Sequence, residues 1–190
     1  MKNNFFFFLL LILASSALQA QKFAGLDKSP MDRAYYPVDF AHDRKFAPEK
    51  VGDKAFARVS YSRPAKKDRE IYGKLIPFGK VWRAGANEST EIKFYQDVVI
   101  QGKKIAAGTY ALFTIPNEKE WTIILNSDLD QWGAYSYSET KDVLRVTVPV
   151  KKTEEIVENF AIQFAKKTDN MVVLQLAWDT TLVELPLSFE

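Results

Sequence analysis

The sequence predicts an all-β fold: an antiparallel β-sandwich, jelly-roll-like topologies included, preceded by an extended N-terminal arm. Two observations carry that reading. Beyond residue 53 apolar and polar residues alternate over many short stretches, which is the period of a half-buried strand. Turn-forming residues separate those stretches and no helical pattern of useful length competes, so a βαβ arrangement is disfavoured.

The strands follow in order. Ala57, Val59 and Tyr61 share one face, with Arg58, Ser60 and Ser62 on the other. Ile92 and Phe94 repeat the pattern, then Val98 and Ile100, and Gly102-Lys103-Lys104 reads as a turn. Residues 109–115 are almost continuously apolar, as expected of a strand covered on both faces. Three inward sets come next: Trp121, Ile123 and Leu125; Leu144, Val146 and Val148; Phe160, Ile162 and Phe164. Val172, Leu174, Leu176 and Trp178 precede a last strand that turns Val183, Leu185, Leu187 and Phe189 to one side. Pro186 cannot donate to a ladder, so that strand lies at an edge or pairs on one side there. Residues 128–132 and 153–159 have room for a helical turn or two.

The first residues set the expected compartment. Lys2 supplies a basic end, residues 5–14 are unbroken apolar, and Ser15, Ser16, Ala17 and Ala20 provide a small-residue exit. That order describes a secretory signal peptide over residues 1–20, with cleavage after Ala17 as the alternative. Its apolar run is about half the roughly 20 residues a membrane span needs. The mature protein is therefore expected to be exported, periplasmic or extracellular, without a membrane span. Residues 21–53, interrupted by Pro30, Pro37 and Pro48, read as an extended arm, part of which packs down through Tyr35, Tyr36 and Phe40. Residues 54–190 form the β-sandwich domain.

Missing residues exclude much chemistry. The chain has no cysteine, which removes disulfides, thiolate nucleophiles and cysteine metal sites. His42 is its one histidine and lies in the arm, away from any nucleophile in the domain. Neither of the glycine-rich phosphate-loop patterns occurs. A formal charge of +2, one unit of it on Lys2, gives no basic stripe for a nucleic-acid partner. No cofactor, metal or catalytic residue is assigned. Asn126, Asp128 and Asp130 alternate as oxygen ligands do in calcium loops, but Gln131 occupies the glycine position, which favours a plain turn.

The densest polar chemistry is Lys80-Val81-Trp82-Arg83-Ala84-Gly85-Ala86-Asn87-Glu88-Ser89-Thr90. Trp82 offers a flat face for a sugar ring, and Arg83 offers a donor fork for a carboxylate. Gly85 permits a tight backbone, while Asn87 and Glu88 add donors and acceptors. Asn87-Glu88-Ser89 is also a glycosylation sequon, a triplet that arises often by chance. A second cluster, Asp130-Gln131-Trp132-Gly133-Ala134-Tyr135, is placed to face the first across the sheet ends. The structural alternative has Trp82 plugging the fold and Arg83 pairing with Glu88 or Asp130 as a strut.

A series of motifs runs through the chain in order: Ser29-Pro30-Met31-Asp32, Tyr61-Ser62-Arg63-Pro64, Phe78-Gly79-Lys80-Val81-Trp82-Arg83, Gly85-Ala86-Asn87-Glu88, Gly108-Thr109-Tyr110, Phe113-Thr114-Ile115-Pro116, Asp130-Gln131-Trp132-Gly133-Ala134 and Asp142-Val143-Leu144-Arg145-Val146. From about Ser29 to the C-terminus the chain resembles the domain-of-unknown-function family 2911, exported proteins chiefly of Bacteroidota-type bacteria. The resemblance supports compartment and domain limits, and it implies no activity or catalytic residue.

Three functions fit these residues. The foremost is a non-catalytic binding module for a glycan or other small polar ligand, built from Trp82, Arg83, Asn87, Glu88, Asp130 and Trp132. The second is a hydrolase using two carboxylates, such as Glu88 and Asp130. The third is an envelope structural or assembly protein that contacts another envelope protein through its arm or a strand edge.

Overall fold

The structure, a computed structural model, describes residues 23–168 and 171–189. The expected signal peptide lies outside the described residues. Among the described residues the α-helices and strands are β1 (Met31–Tyr36), α1 (Phe40–Phe46), α2 (Pro48–Val51), β2 (Ala57–Ser62), β3 (Thr90–Phe94), β4 (Val98–Ile100), β5 (Lys103–Ile105), β6 (Gly108–Pro116), β7 (Glu120–Asn126), β8 (Asp142–Thr168) and β9 (Met171–Phe189), with a 3-10 turn at Glu139–Lys141 before β8. Among the described residues the strands make one nine-stranded sheet in the order β1-β2-β3-β6-β7-β8-β9-β4-β5. Every neighbouring pair runs antiparallel. The fold is therefore antiparallel β, as the alternation predicts.

The inward sets read from the sequence form one core. Val59, Ile92, Leu112, Ile123, Leu125, Phe160, Leu174, Leu176 and Leu185 all belong to it and are essentially inaccessible. Each such side chain contributes roughly 1.5–3 kcal/mol through its removal from water. Rings from distant strands meet there: Tyr36 of β1 stacks on Phe189 of β9 at 5.6 Å, and Tyr61 of β2 meets Phe160 of β8 edge-on at 5.9 Å. The Tyr61 hydroxyl also donates to the Ile162 carbonyl (3.0 Å). The apolar stretch of β6 is covered on both faces, because Ala111, Phe113 and Ile124 form a second small cluster under Val81, Leu129, Ala134 and Tyr137.

β8 changes partner along its length, pairing with β7 up to Pro149 and with β9 from Val150 onward. Within β9 the buried positions, Val173 apart, switch from even numbers ending at Trp178 to odd numbers starting at Thr181. Asp179 makes that switch with a left-handed backbone (φ 55°) at a register shift against β8. An inserted residue of this kind flips which face the following side chains occupy. Residues 153–159, read as a possible helical turn, lie inside β8 instead.

The arm also departs from expectation. Residues 31–36 are a strand paired with β2 over its whole length, and two short helices follow. Phe40, Val51, Ala55 and Tyr35 make a satellite cluster beneath those helices. Pro48 was expected to interrupt regular structure, yet it starts α2. A proline at the first helical position loses no hydrogen bond and has its φ already set. Pro186 falls between the part of β9 that pairs with β8 and the part that pairs with β4.

Candidate functional site

The two polar-aromatic clusters meet through the backbone. Trp82 and Thr114 of β6 exchange backbone hydrogen bonds of 2.7 and 2.8 Å, so the 80–90 loop begins by running beside the sheet. It then tightens around Gly85, where an added Cβ would stand 3.1 Å from the Ser62 carbonyl and 3.3 Å from Thr90 Oγ1. The Thr90 hydroxyl donates to the Ala84 carbonyl (2.6 Å) and ties the loop's two ends together. Ser89 N–H donates to the Gln131 carbonyl and Gly133 N–H to the Asn87 carbonyl, both at 2.9 Å, which sets Glu88 opposite Trp132. The expectation that the two clusters face one another is thus met by direct pairing.

A polar network holds the second loop rigid. Tyr137 donates to Asp142 Oδ2 (2.7 Å), and Arg145 Nη1 donates both to that oxygen (2.9 Å) and to the Tyr137 hydroxyl (3.0 Å). Burial, with the bond to Asp142 acting the same way, pushes the Tyr137 hydroxyl well above the usual tyrosine value, so it remains a donor. Asn126 Nδ2 donates to the Ser138 carbonyl (3.0 Å) and Asp142 Oδ1 (2.8 Å), while its Oδ1 accepts from Asp128 N–H (2.9 Å). Asn126 is therefore a turn anchor. Among the described residues no group of three His, Asp or Glu side chains is placed to hold a metal.

The residues proposed from sequence separate into core and surface. Trp82 is 5% exposed and offers no face to a ligand. Its ring stacks on Trp178 at 6.0 Å and meets Trp121 and Phe160 edge-on, and its indole N–H donates to the Gly85 carbonyl (3.2 Å). This matches the plug of the structural alternative, because an indole gains more from aromatic neighbours on every side than from a wet loop. The other half of that alternative fails: among the described residues Arg83 makes no ion pair with Glu88 or Asp130.

Arg83 is half-buried, and burial holds its guanidinium below the ordinary arginine value, with the Tyr135 hydroxyl partly offsetting this. Its Nε is buried without a hydrogen-bond partner, and so are Ser89 Oγ, Thr114 Oγ1 and Gln131 Oε1 around the same junction. Trp132 (62% exposed) and Tyr135 (87% exposed) stand on the outer surface. Gly133 lies between Arg83 and Tyr135, where a Cβ would meet the tyrosine ring at 3.1 Å and Arg83 Nη1 at 3.7 Å. Asn87, at φ 60°, donates to Asp27 Oδ1 (3.1 Å). Glu88 and Asp130 are exposed, and Asp130 N–H reaches Glu91 Oε1 at 3.5 Å. The structure thus brings Arg83, Asn87, Glu88 and Trp132 together and removes Trp82. It adds Tyr135, three residues beyond Trp132 in the same cluster, and the unpartnered oxygens Ser89 Oγ and Gln131 Oε1, which nothing in their spacing announced. His42 is exposed on α1 beside Asp43 (2.8 Å).

These features define an antiparallel β protein whose unpaired polar groups and exposed rings gather where two loops join beside β6. The chain belongs to the family described as Protein of unknown function (DUF2911), which it matches over residues 44–187. No curated protein and no solved structure matches it. No helix among the described residues is long and apolar enough to cross a membrane.

Proposed function

We propose that this is an exported, non-catalytic binding module whose ligand is a carbohydrate or comparable small polar molecule bearing a carboxylate. The observation that supports it most is Arg83: a half-buried cation with no carboxylate partner among the described residues, set beside two exposed aromatic rings. Buried charges are ordinarily paired, and a planar guanidinium matches a carboxylate in bidentate geometry. Trp132 and Tyr135 supply apolar ring faces for the C–H side of a sugar. Export rests on the N-terminal sequence and places the binding event in the periplasm or outside the cell.

The carboxylate hydrolase is less well supported, because a general acid of that chemistry sits in apolar surroundings whereas Glu88 and Asp130 are both exposed. The assembly reading rested on the arm's aromatic residues and on an edge strand at Pro186. Tyr35 and Phe40 of that arm pack into a satellite cluster, Tyr36 packs against the main core, and residues 31–36 pair with β2, which leaves less of the arm to offer a partner.

Calorimetry on the mature protein tests the proposal, with uronic-acid oligosaccharides compared against their neutral counterparts. Binding confined to the acidic sugars, and weakened at least tenfold by Trp132→Ala and by Arg83→Gln, is the expected result. Equal affinity in folded variants rejects the site, and equal affinity for neutral sugars rejects the ligand class.

A further inference from the structure

Where the two short helices meet the sheet they leave a cleft of about 550 Å³, a volume typical of small-molecule sites. Tyr35 of β1, Phe40 and Arg44 of α1, Asp53 and Lys54 ahead of β2, and Tyr95 just past β3 line it. It shares no residue with the Arg83 patch. Its apolar lining is largely aromatic: the Tyr35 and Phe40 rings lie 6.1 Å apart, and Tyr95 is 39% exposed. Rings in an open cleft favour a flat occupant, because stacked or edge-on aromatic pairs add attraction beyond the area they cover.

The charge around the cleft is one-sided. Arg44 and Lys54 are exposed on its walls, so their N–H groups are within reach of a ligand. Behind it, Tyr35, Arg58 and Lys93 form one cross-strand row on the face turned away from the Val59 core. Arg58 and Lys93 do not line the cleft and act on it through their charge. Among the described residues none of these four cations forms an ion pair. Two of them rest on rings instead: the Arg44 guanidinium lies 6.0 Å from the centre of Phe40, and Lys93 Nζ lies 4.7 Å from that of Tyr95. Against them the lining sets a single exposed carboxylate, Asp53.

We propose that this cleft binds a small aromatic carboxylate, its ring set against Tyr35 and Tyr95 and its carboxylate taken by Arg44 and Lys54. The guanidinium offers two parallel N–H donors to the two carboxylate oxygens, and the ammonium adds a point charge. A neutral ring leaves those cations unanswered, and an aliphatic acid forgoes the aromatic contacts. Both parts of the ligand are therefore required.

The test titrates the mature protein with benzoate and indole-3-acetate, against benzyl alcohol, benzylamine and acetate. Calorimetry gives the affinities, and amide chemical shifts at residues 40–44 and 53–55 locate the site. The two aromatic acids are expected to bind at least tenfold more tightly than the neutral ring, the cationic ring or the ringless acid. Arg44→Gln and Lys54→Gln fall at exposed positions, so both variants should fold, and together they should lower benzoate affinity at least tenfold. Benzyl alcohol or acetate binding as well as benzoate, unchanged affinity in the folded double variant, or no binding of either aromatic acid at millimolar concentration overturns the proposal. Shifts at these residues with inorganic phosphate and none with benzoate also overturn it. Arg83→Gln should leave benzoate binding unchanged, which separates this site from the carbohydrate patch.

Discussion

At the scale of single residues, tryptophan shows why a sequence can name the right segment and the wrong role. Trp82 and Trp132 both sit in polar-aromatic clusters, and composition alone treats them alike. What separates them is the Trp82–Thr114 backbone pairing, a contact between residues far apart in sequence, which turns the first indole inward. Trp82→Ala should therefore act on stability and not on ligand contact. Loss of a buried tryptophan costs about 3–5 kcal/mol, enough to lower the melting temperature by roughly 10 °C in thermal denaturation. Trp132→Ala, at an exposed position, should leave that temperature nearly unchanged. The unpartnered atoms of Arg83, Ser89 and Gln131 were not legible in sequence, because being unsatisfied is a property of surroundings assembled from several loops.

At the scale of elements, the strands were legible because burial follows their own alternation. The inward sets from Ala57 to Leu187 all lie in one core. The short helices α1 and α2 were not, since each has too few residues to show a period and depends on Phe40 and Val51 reaching a satellite cluster. The β8–β9 pair carries its own electrostatic clasp. Glu184 accepts from Lys151 first, then from Gln175 (2.7 Å) and Lys167 (3.1 Å), and these hold its carboxyl at about 2. A carboxyl depressed in the folded state adds stability that is complete above its unfolded pKa and is lost as pH falls through the folded one. Glu184→Gln should thus destabilise the protein by about 1–2 kcal/mol at neutral pH, after allowance for solvent around the two lysines. Urea denaturation of both proteins between pH 7 and pH 2 checks this, with the difference shrinking from about pH 5 downward.

At the scale of the whole molecule, the N-terminal segment is a working part of the sheet. All six residues of β1 pair with β2, and Tyr36 stacks on Phe189 and meets Phe164. Deleting residues 31–53 should strip the outer hydrogen bonds from β2 and uncover core rings. Limited proteolysis is expected to cut the truncated protein much faster than the intact one. A truncated form as resistant as the parent would show that the segment adds nothing to the core. The sequence suggested an arm here because its prolines punctuate the chain. The pairing that overrides them is made with a strand well further along the chain (Ala34 opposite Val59, for example), and local spacing does not report it.

The margins of the sheet carry a further consequence. β5, at one end of the strand order, is three residues long and turns Lys103 and Lys104 to solvent, the latter tied to Asp97 at 3.1 Å. β1, at the other end, is framed by Pro30 and Pro37 and exposes Arg33. Brief, charged or proline-bounded margins offer poor templates for an incoming chain. Lateral addition of a further strand is thereby disfavoured at both borders, which works against growth of this sheet into fibrils.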